Sequence, residues 1–186
     1  MVMADRKNLL EINEIYKSDK SIKHRYIQDY YENTFKNLRD DVKSLMEIGV
    51  YHGASLMLWH DYFPQATIYG VDIDIRCRSR FERKFKTSRV ELIIGNSVES
   101  ETYQHLKNSF DIIIDDGSHR GIKQLQTFDI LFEKLNKKGL YIIEDVAPTE
   151  IKNLCDHFKN LNLQHRVIDL STSKVPDSII TEIIKG

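Results

Sequence analysis

Two short apolar runs that end abruptly in acids constrain this chain more than any other feature. One is FDIIIDDGSH at 110–119, which closes on Asp115 and Asp116; the other is GLYIIEDV at 139–146, which closes on Glu144 and Asp145. Apolar runs of this length, bounded by turn residues, fit strands buried on both faces of a parallel sheet. Neighbouring strands lie about 5 Å apart, so if these two pair, their acidic ends gather at one edge. In an open α/β sheet that edge is where ligands bind. Carboxylates collected there, with His119 three residues beyond Asp116, have the make-up of a divalent-metal site with a base beside it.

Strand-like and helix-like stretches alternate from about residue 43 onward. The pattern predicts strands at 45–49, 66–73, 89–95, 110–115 and 140–144, helices between them at 54–63, 75–86, 98–108 and 121–136, and another helix at 149–161. Such alternation means a parallel sheet with helices on both faces. Two final β-like runs, HRVIDL at 165–170 and SIITEII at 178–184, are joined by a short polar link containing Pro176. A link of this kind suits a hairpin rather than a helical crossover. The expected fold is α/β: a Rossmann-like, doubly wound, seven-stranded sheet, mostly parallel with one antiparallel strand. Residues 1–40 are polar and tyrosine-rich, with Tyr16, Tyr26, Tyr30, Tyr31 and Phe35, and read as a short helical cap near the ligand edge. The expected organisation is one domain over 1–186, the cap being 1–40 and the core 41–186.

With 186 residues, the chain is long enough to bury a real core. Its 27 basic and 28 acidic side chains leave no electrostatic footprint for nucleic acid or a membrane surface. The basic run RCRSRFERKFK at 76–86 could bind phosphate, but a solvated helix face accounts for it more simply. Cys77 and Cys155 have no metal or redox spacing and suit a reduced, cytoplasmic protein. The start of the chain lacks a signal-peptide core, and no apolar run reaches the ~20 residues of a membrane span. A homo-oligomer is compatible with this sequence.

The first strand runs into EIGVYHGAS, with Glu47, Gly49 and Gly53 ahead of a helix. Glycines there permit a tight turn and let the backbone approach a ligand above the helix N-terminus. A dinucleotide fingerprint needs G-x-G-x-x-G, and from Gly49 the other two positions hold Tyr51 and Ala54. That disfavours a pyrophosphate. Asp72 ends the second strand, placed to accept hydrogen bonds from two ribose hydroxyls. Asp74, two residues on and facing the same side of an extended strand, is the alternative. Gly95, Asn96 and Ser97 end the third strand, where an adenine edge would lie. A ribose-bearing cofactor without a pyrophosphate fits, and S-adenosylmethionine is the obvious one. With the adjoining Tyr51, Ser55 and Asp115, these residues make the expected cofactor site; Asp115 contacts either the cofactor's amino group or the metal.

On these residues the chain resembles the class I S-adenosylmethionine-dependent methyltransferases, whose first motif Glu47-x-Gly49-x-x-x-Gly53 matches. IIDDGSH, YIIEDV and the cap stretch SDKSIKHRYIQDYY at 18–31 are similar to a narrower group, the metal-dependent sugar O-methyltransferases of macrolide and polysaccharide biosynthesis. The resemblance implies Mg²⁺ on Asp116, Glu144 and Asp145, His119 as general base, and a sugar hydroxyl as acceptor. His24 and Tyr26, in the cap motif, become candidates for the substrate pocket. The chain departs from the group in holding Lys138-Gly139 where a glycine pair is common, and in lacking the large N-terminal region of the macrolide enzymes. Two other readings stay open. One is a catechol- or phenol-type O-methyltransferase, which uses a lysine as base; the other is a non-catalytic S-adenosylmethionine-binding protein, in which the acids merely cap loops.

Overall fold

The computed structural model describes residues 6–107 and 109–186; residues 1–5 of the expected cap and Asn108 lie outside them. Seven strands form one sheet: β1 (Ser44–Ile48), β2 (Thr67–Asp72), β3 (Val90–Ile94), β4 (Phe110–Asp115), β5 (Leu135–Ile143), β6 (Gln164–Asp169) and β7 (Ile179–Ile184). Their spatial order is β3-β2-β1-β4-β5-β7-β6. The first five are parallel, and β7 runs antiparallel to both β5 and β6. The expected hairpin is present, with its second strand inserted into the sheet. Strand order reverses between β1 and β4, which opens a crevice at the C-terminal ends of the parallel strands.

The apolar runs become central strands because both of their faces can be covered. Ile112 and Ile114 of β4, with Leu140 and Ile142 of β5, enter one core; Ile113, Tyr141 and Ile143 enter the other. Helices α4 (Ala54–Tyr62) and α5 (Arg76–Lys84) cover the first face, while α6 (Gly121–Leu131) and α7 (Ile151–Asn160) cover the second. Helix α5 buries only Cys77 and Phe81, so its arginines and lysines lie on a solvated face, as the simpler reading expects.

The cap packs into the first core. Helix α1 (Leu9–Tyr16) starts at a reciprocal cap between Asn8 and Glu11, and α2 (Asp19–Ile22) starts at Ser18. A π-helical turn (Ile27–Tyr31) then runs into α3 (Glu32–Phe35). Tyr26, Ile27, Tyr30, Tyr31 and Phe35 are all buried against the sheet. No helix among the described residues is long and apolar enough to cross a membrane.

Two elements differ from expectation. The helix expected at 98–108 is a single 3₁₀ turn, Ser100–Tyr103. Thr102 donates its hydroxyl to the Asn96 carbonyl at 2.8 Å, and Tyr103 donates to the Ser97 carbonyl at 3.0 Å. These side chains fold the segment back onto the end of β3, in competition with helix bonding. The helix expected at 121–136 stops at Leu131, and β5 begins at Leu135. Phe110 pairs with Leu135, but Ile112 pairs with Leu140, so the extra residues form a bulge. Lys138 sits there at φ 63°, and its amide donates to the Lys185 carbonyl at 2.7 Å.

Candidate functional site

The acidic ends of β4 and β5 do meet. Asp115 pairs with Ile143 in register, and the Glu144 amide donates to the Asp115 carbonyl at 2.9 Å, carrying the ladder one residue further. The Asp116 amide likewise donates to the Ile48 carbonyl at 3.0 Å. Asp116, His119 and Asp145 each offer one ligand atom, all within 4.8 Å of one another. His119 and Asp145 hold left-handed backbone, at φ 51° and 52°. Non-glycine residues in that region are held there by their surroundings, often at functional sites.

Glu144 is placed differently. Its carboxylate is buried, with one oxygen accepting from the Tyr31 hydroxyl and the other from Lys20 Nζ at 2.6 Å. Lys20 Nζ also lies 2.7 Å from Asp116 and 3.2 Å from Glu47. Burial alone would lower the lysine's pKa, but the three carboxylates outweigh it and hold the ammonium well above its ordinary value. Burial pushes Glu47 and Glu144 upward, and Lys20 opposes that shift in both. Asp145 is raised by burial, against the pull of the Tyr26 hydroxyl bonded to it.

Glycine conformation explains how these strand ends approach each other. Gly49 sits at φ +95°, and a Cβ there would lie 2.1 Å from the Asp116 carbonyl oxygen. Gly53 is left-handed at φ +77°, and Tyr51 between them has φ 50°. The turn is held from β2: Asp72 Oδ2 accepts from the amides of Val50 and Tyr51 at 2.9 and 3.0 Å, and Oδ1 accepts from the Asp74 amide at 2.8 Å. Asp74 is engaged by Arg76 and Arg80, and the hydrogen bonds from Arg76 hold it down at about 2. Both carboxylates are thus engaged within the chain, Asp72 by backbone amides and Asp74 by arginines. Glu47 accepts from the Ser55 hydroxyl at 2.7 Å, tying β1 to the first turn of α4.

One cavity of about 820 Å³ joins these features. Its wall includes Gly49, Tyr51, Ser55, Asp72, Asn96 and Ser97 from the expected cofactor site, then Asp116, His119 and Asp145. The cap contributes Tyr16, Asp19 and Lys23. Glu47, Gly53, Asp115 and Glu144 stand behind the wall. Asp115 is buried; its Oδ1 accepts from the Gly117 amide at 3.2 Å, and its Oδ2 has no hydrogen-bond partner. Burial pushes its pKa up to about 7.

His24 and Tyr26 do not line the cavity. Both are buried behind Asp145, stacked at 5.0 Å, with His24 Nδ1 3.3 Å from Asp145 and 2.9 Å from the Ser178 hydroxyl. Both contact Asp145 from outside the cavity's lining. Sequence reasoning passed over Lys20 and Tyr31, although both stand in the cap motif. Their partners are more than a hundred residues away for Glu144, and no local pattern signals such a contact.

The residues present fit both absent groups. The glycine turn, Asp72 and the unpartnered Asp115 oxygen suit a nucleoside with a polar tail, and the carboxylates of Asp116 and Asp145, with His119 beside them, are oxygen donors of the kind a hard divalent ion takes.

Comparison with known proteins identifies the family. Residues 46–146 match the family described as methyltransferase domain. An 8-demethyl-8-alpha-L-rhamnosyl tetracenomycin-C 2'-O-methyltransferase of Streptomyces olivaceus is 34% identical over 142 residues, covering 71% of this chain and 36% of that protein. An L-olivosyl-oleandolide 3-O-methyltransferase of Streptomyces antibioticus is 32% identical over 139 residues, covering 70% and 35%. Among solved structures, the MycE methyltransferase of the mycinamycin biosynthetic pathway, in complex with Mg and SAH, superposes with a TM-score of 0.74 at 25% identity, covering 98% of this chain and 55% of that one. The chain thus spans little more than a third of the two curated relatives and about half of the solved one. By its sequence match and its sheet order, the chain belongs to the methyltransferase-domain family.

Proposed function

We propose that this chain is an S-adenosylmethionine- and Mg²⁺-dependent O-methyltransferase of the cytoplasm, acting on a hydroxyl of a sugar or glycosylated small molecule, not on nucleic acid. The reading treats cap and core as one functional domain. The observation that carries it is the convergence of Asp116, His119 and Asp145 on the wall of the cavity that also holds the glycine turn and Asp72. When bound, S-adenosylmethionine supplies the activated methyl group, and the divalent ion lowers the pKa of a hydroxyl that it binds. Asp116 and Asp145 would hold the ion from the cavity side, and Glu144 would add the third carboxylate from behind. Asp72 would hold the ribose and Asp115 the cofactor's amino end.

The chain's own part in the chemistry is proton removal and orientation. His119 Nδ1 lies 3.6 Å from Asp145 Oδ2, so a protonated Nδ1 faces the carboxylate and leaves Nε2 to take the hydroxyl proton. The imidazolium that results is stabilised by Asp145. A positioned base of this kind contributes on the order of 10²–10⁴-fold.

His119→Ala tests the assignment. The expected result is turnover reduced at least ~10²-fold, with S-adenosylmethionine and Mg²⁺ affinity near the parent's. Loss of Mg²⁺ binding would make His119 a ligand, and unchanged turnover would leave it no part in proton transfer.

A further inference from the structure

Three acids carried by three different strand ends point at one lysine from the cap. Glu47 lies on β1, Asp116 follows β4, Glu144 follows β5, and Lys20 Nζ is 3.2, 2.7 and 2.6 Å from them. The Lys20 side chain is 2% exposed, and those of Glu47 and Glu144 are 0% and 1% exposed. Buried carboxylates without a counter-charge are strongly destabilising, whereas a paired and hydrogen-bonded cluster is tolerated. Glu47 Oε1 has no hydrogen-bond donor, so the ammonium is the group that compensates it. Lys20 is thus as much a part of the acidic cluster as the acids.

We propose that Lys20 is a resident cation of the carboxylate cluster, a positioning residue that latches the cap to the sheet edge and shares its carboxylates with the divalent ion. Asp116 has one oxygen already on Lys20, and Glu144 would have to exchange Lys20 for the ion in order to hold it. Two cations on one set of acids repel each other, and the coupling is reciprocal: whatever Lys20 costs the ion, the ion costs the cap latch. Lys20 thereby limits metal affinity while it keeps the metal-free cluster folded. This inference rests on the metal reading above, and the measurements separate the two.

Calorimetry of Mg²⁺ alone against the full chain is the test. Lys20→Met frees one oxygen each of Asp116 and Glu144 and removes a neighbouring positive charge, so its Kd should fall at least about tenfold. Lys20→Arg keeps the charge and should stay within about threefold of the parent. Equal or weaker binding by folded Lys20→Met, the result for a lysine that is merely structural, overturns this proposal and leaves the metal reading standing. Binding by the variant but not the parent supports the competition and removes the metal from the parent's function; binding by neither protein overturns both readings. If Lys20→Met does not fold, the parent decides. Amide hydrogen exchange across residues 18–31 should quicken at saturating Mg²⁺, and unchanged or slower exchange would overturn the latch.

Discussion

Gly49→Ala is the perturbation that most directly tests how the sheet edge is assembled. Gly49 has φ +95°, where an L side chain costs roughly 1–2 kcal/mol. Its Cβ would also lie 2.1 Å from the Asp116 carbonyl oxygen and 2.9 Å from the Asp116 carbonyl carbon. Backbone cannot rotate aside as a side chain can. Restoring ordinary contact requires a shift of about 1.3 Å between the two strand ends, and overpacking of this kind costs roughly 1–3 kcal/mol. The combined penalty is roughly 2–5 kcal/mol, lowering the melting temperature on the order of 10 °C in a chain of this size. Because the residue displaced is Asp116, turnover should fall about 10²-fold, the usual effect of a 1 Å error in a reacting centre. Gly95→Ala is the milder case for stability: its Cβ meets the Thr102 side chain rather than backbone, and the hydrogen bond lost when Thr102 shifts is worth about 1 kcal/mol. Scanning calorimetry and a methyl-transfer assay read both quantities. A Gly49→Ala protein that melts within ~2 °C of the parent and turns over normally would refute the argument.

Three further outcomes follow from the same contacts. Asp72→Ala removes the acceptor of three backbone amides and should weaken S-adenosylmethionine binding by roughly 1–3 kcal/mol in calorimetry; equal affinities would move the ribose to Asp74. Tyr31→Phe leaves one oxygen of the buried Glu144 without its donor and should cost roughly 1–3 kcal/mol in chemical denaturation; an unchanged midpoint would show that the hydroxyl is not needed there. EDTA should abolish methyl transfer while cofactor binding stays largely intact, with Mg²⁺ restoring activity in the parent but not in Asp116→Ala. Full turnover in chelator would remove the ion from the reaction.

The sheet was readable because its information is local. The runs of apolar residues placed six of the seven strands to within one residue, and the pairing of β4 with β5 followed from their shared apolar character and acidic ends. The segment after β3 was misread because its fate depends on Thr102 and Tyr103 bonding back to Asn96 and Ser97, a choice that helical periodicity does not encode. The start of β5 was missed because a bulge at Lys138 hides the early strand residues behind a polar stretch. At the site, the two apolar runs brought forward Asp115, Asp116, Glu144 and Asp145 with His119, and of these Asp116, His119 and Asp145 share one cavity wall. The engagement of Glu144 was hidden because its partners come from the cap. Lys20 is 96 residues from Asp116 and 124 from Glu144 in the chain, and nothing within a turn or two of either reveals the pair.

The cap's polar side chains share one logic. Lys20 meets Glu47, Asp116 and Glu144; Tyr31 donates to Glu144; Tyr26 and His24 meet Asp145; and Tyr30 donates to Glu182, which Arg166 also binds across the hairpin. Acids at a strand end facing open water would need none of these partners. Buried acids need all of them, because desolvation raises their pKa until a donor or a cation offsets it. Hence the same residues that make the edge able to hold a cation depend on the cap for their donors and counter-charge. Substitutions in the cap and at the strand ends should be strongly non-additive, since each removes a partner that the other has already lost. The tyrosine-rich segment therefore completes the acidic cluster electrostatically as well as sterically, and its sequence is as much a part of that cluster as IIDDGSH and YIIEDV.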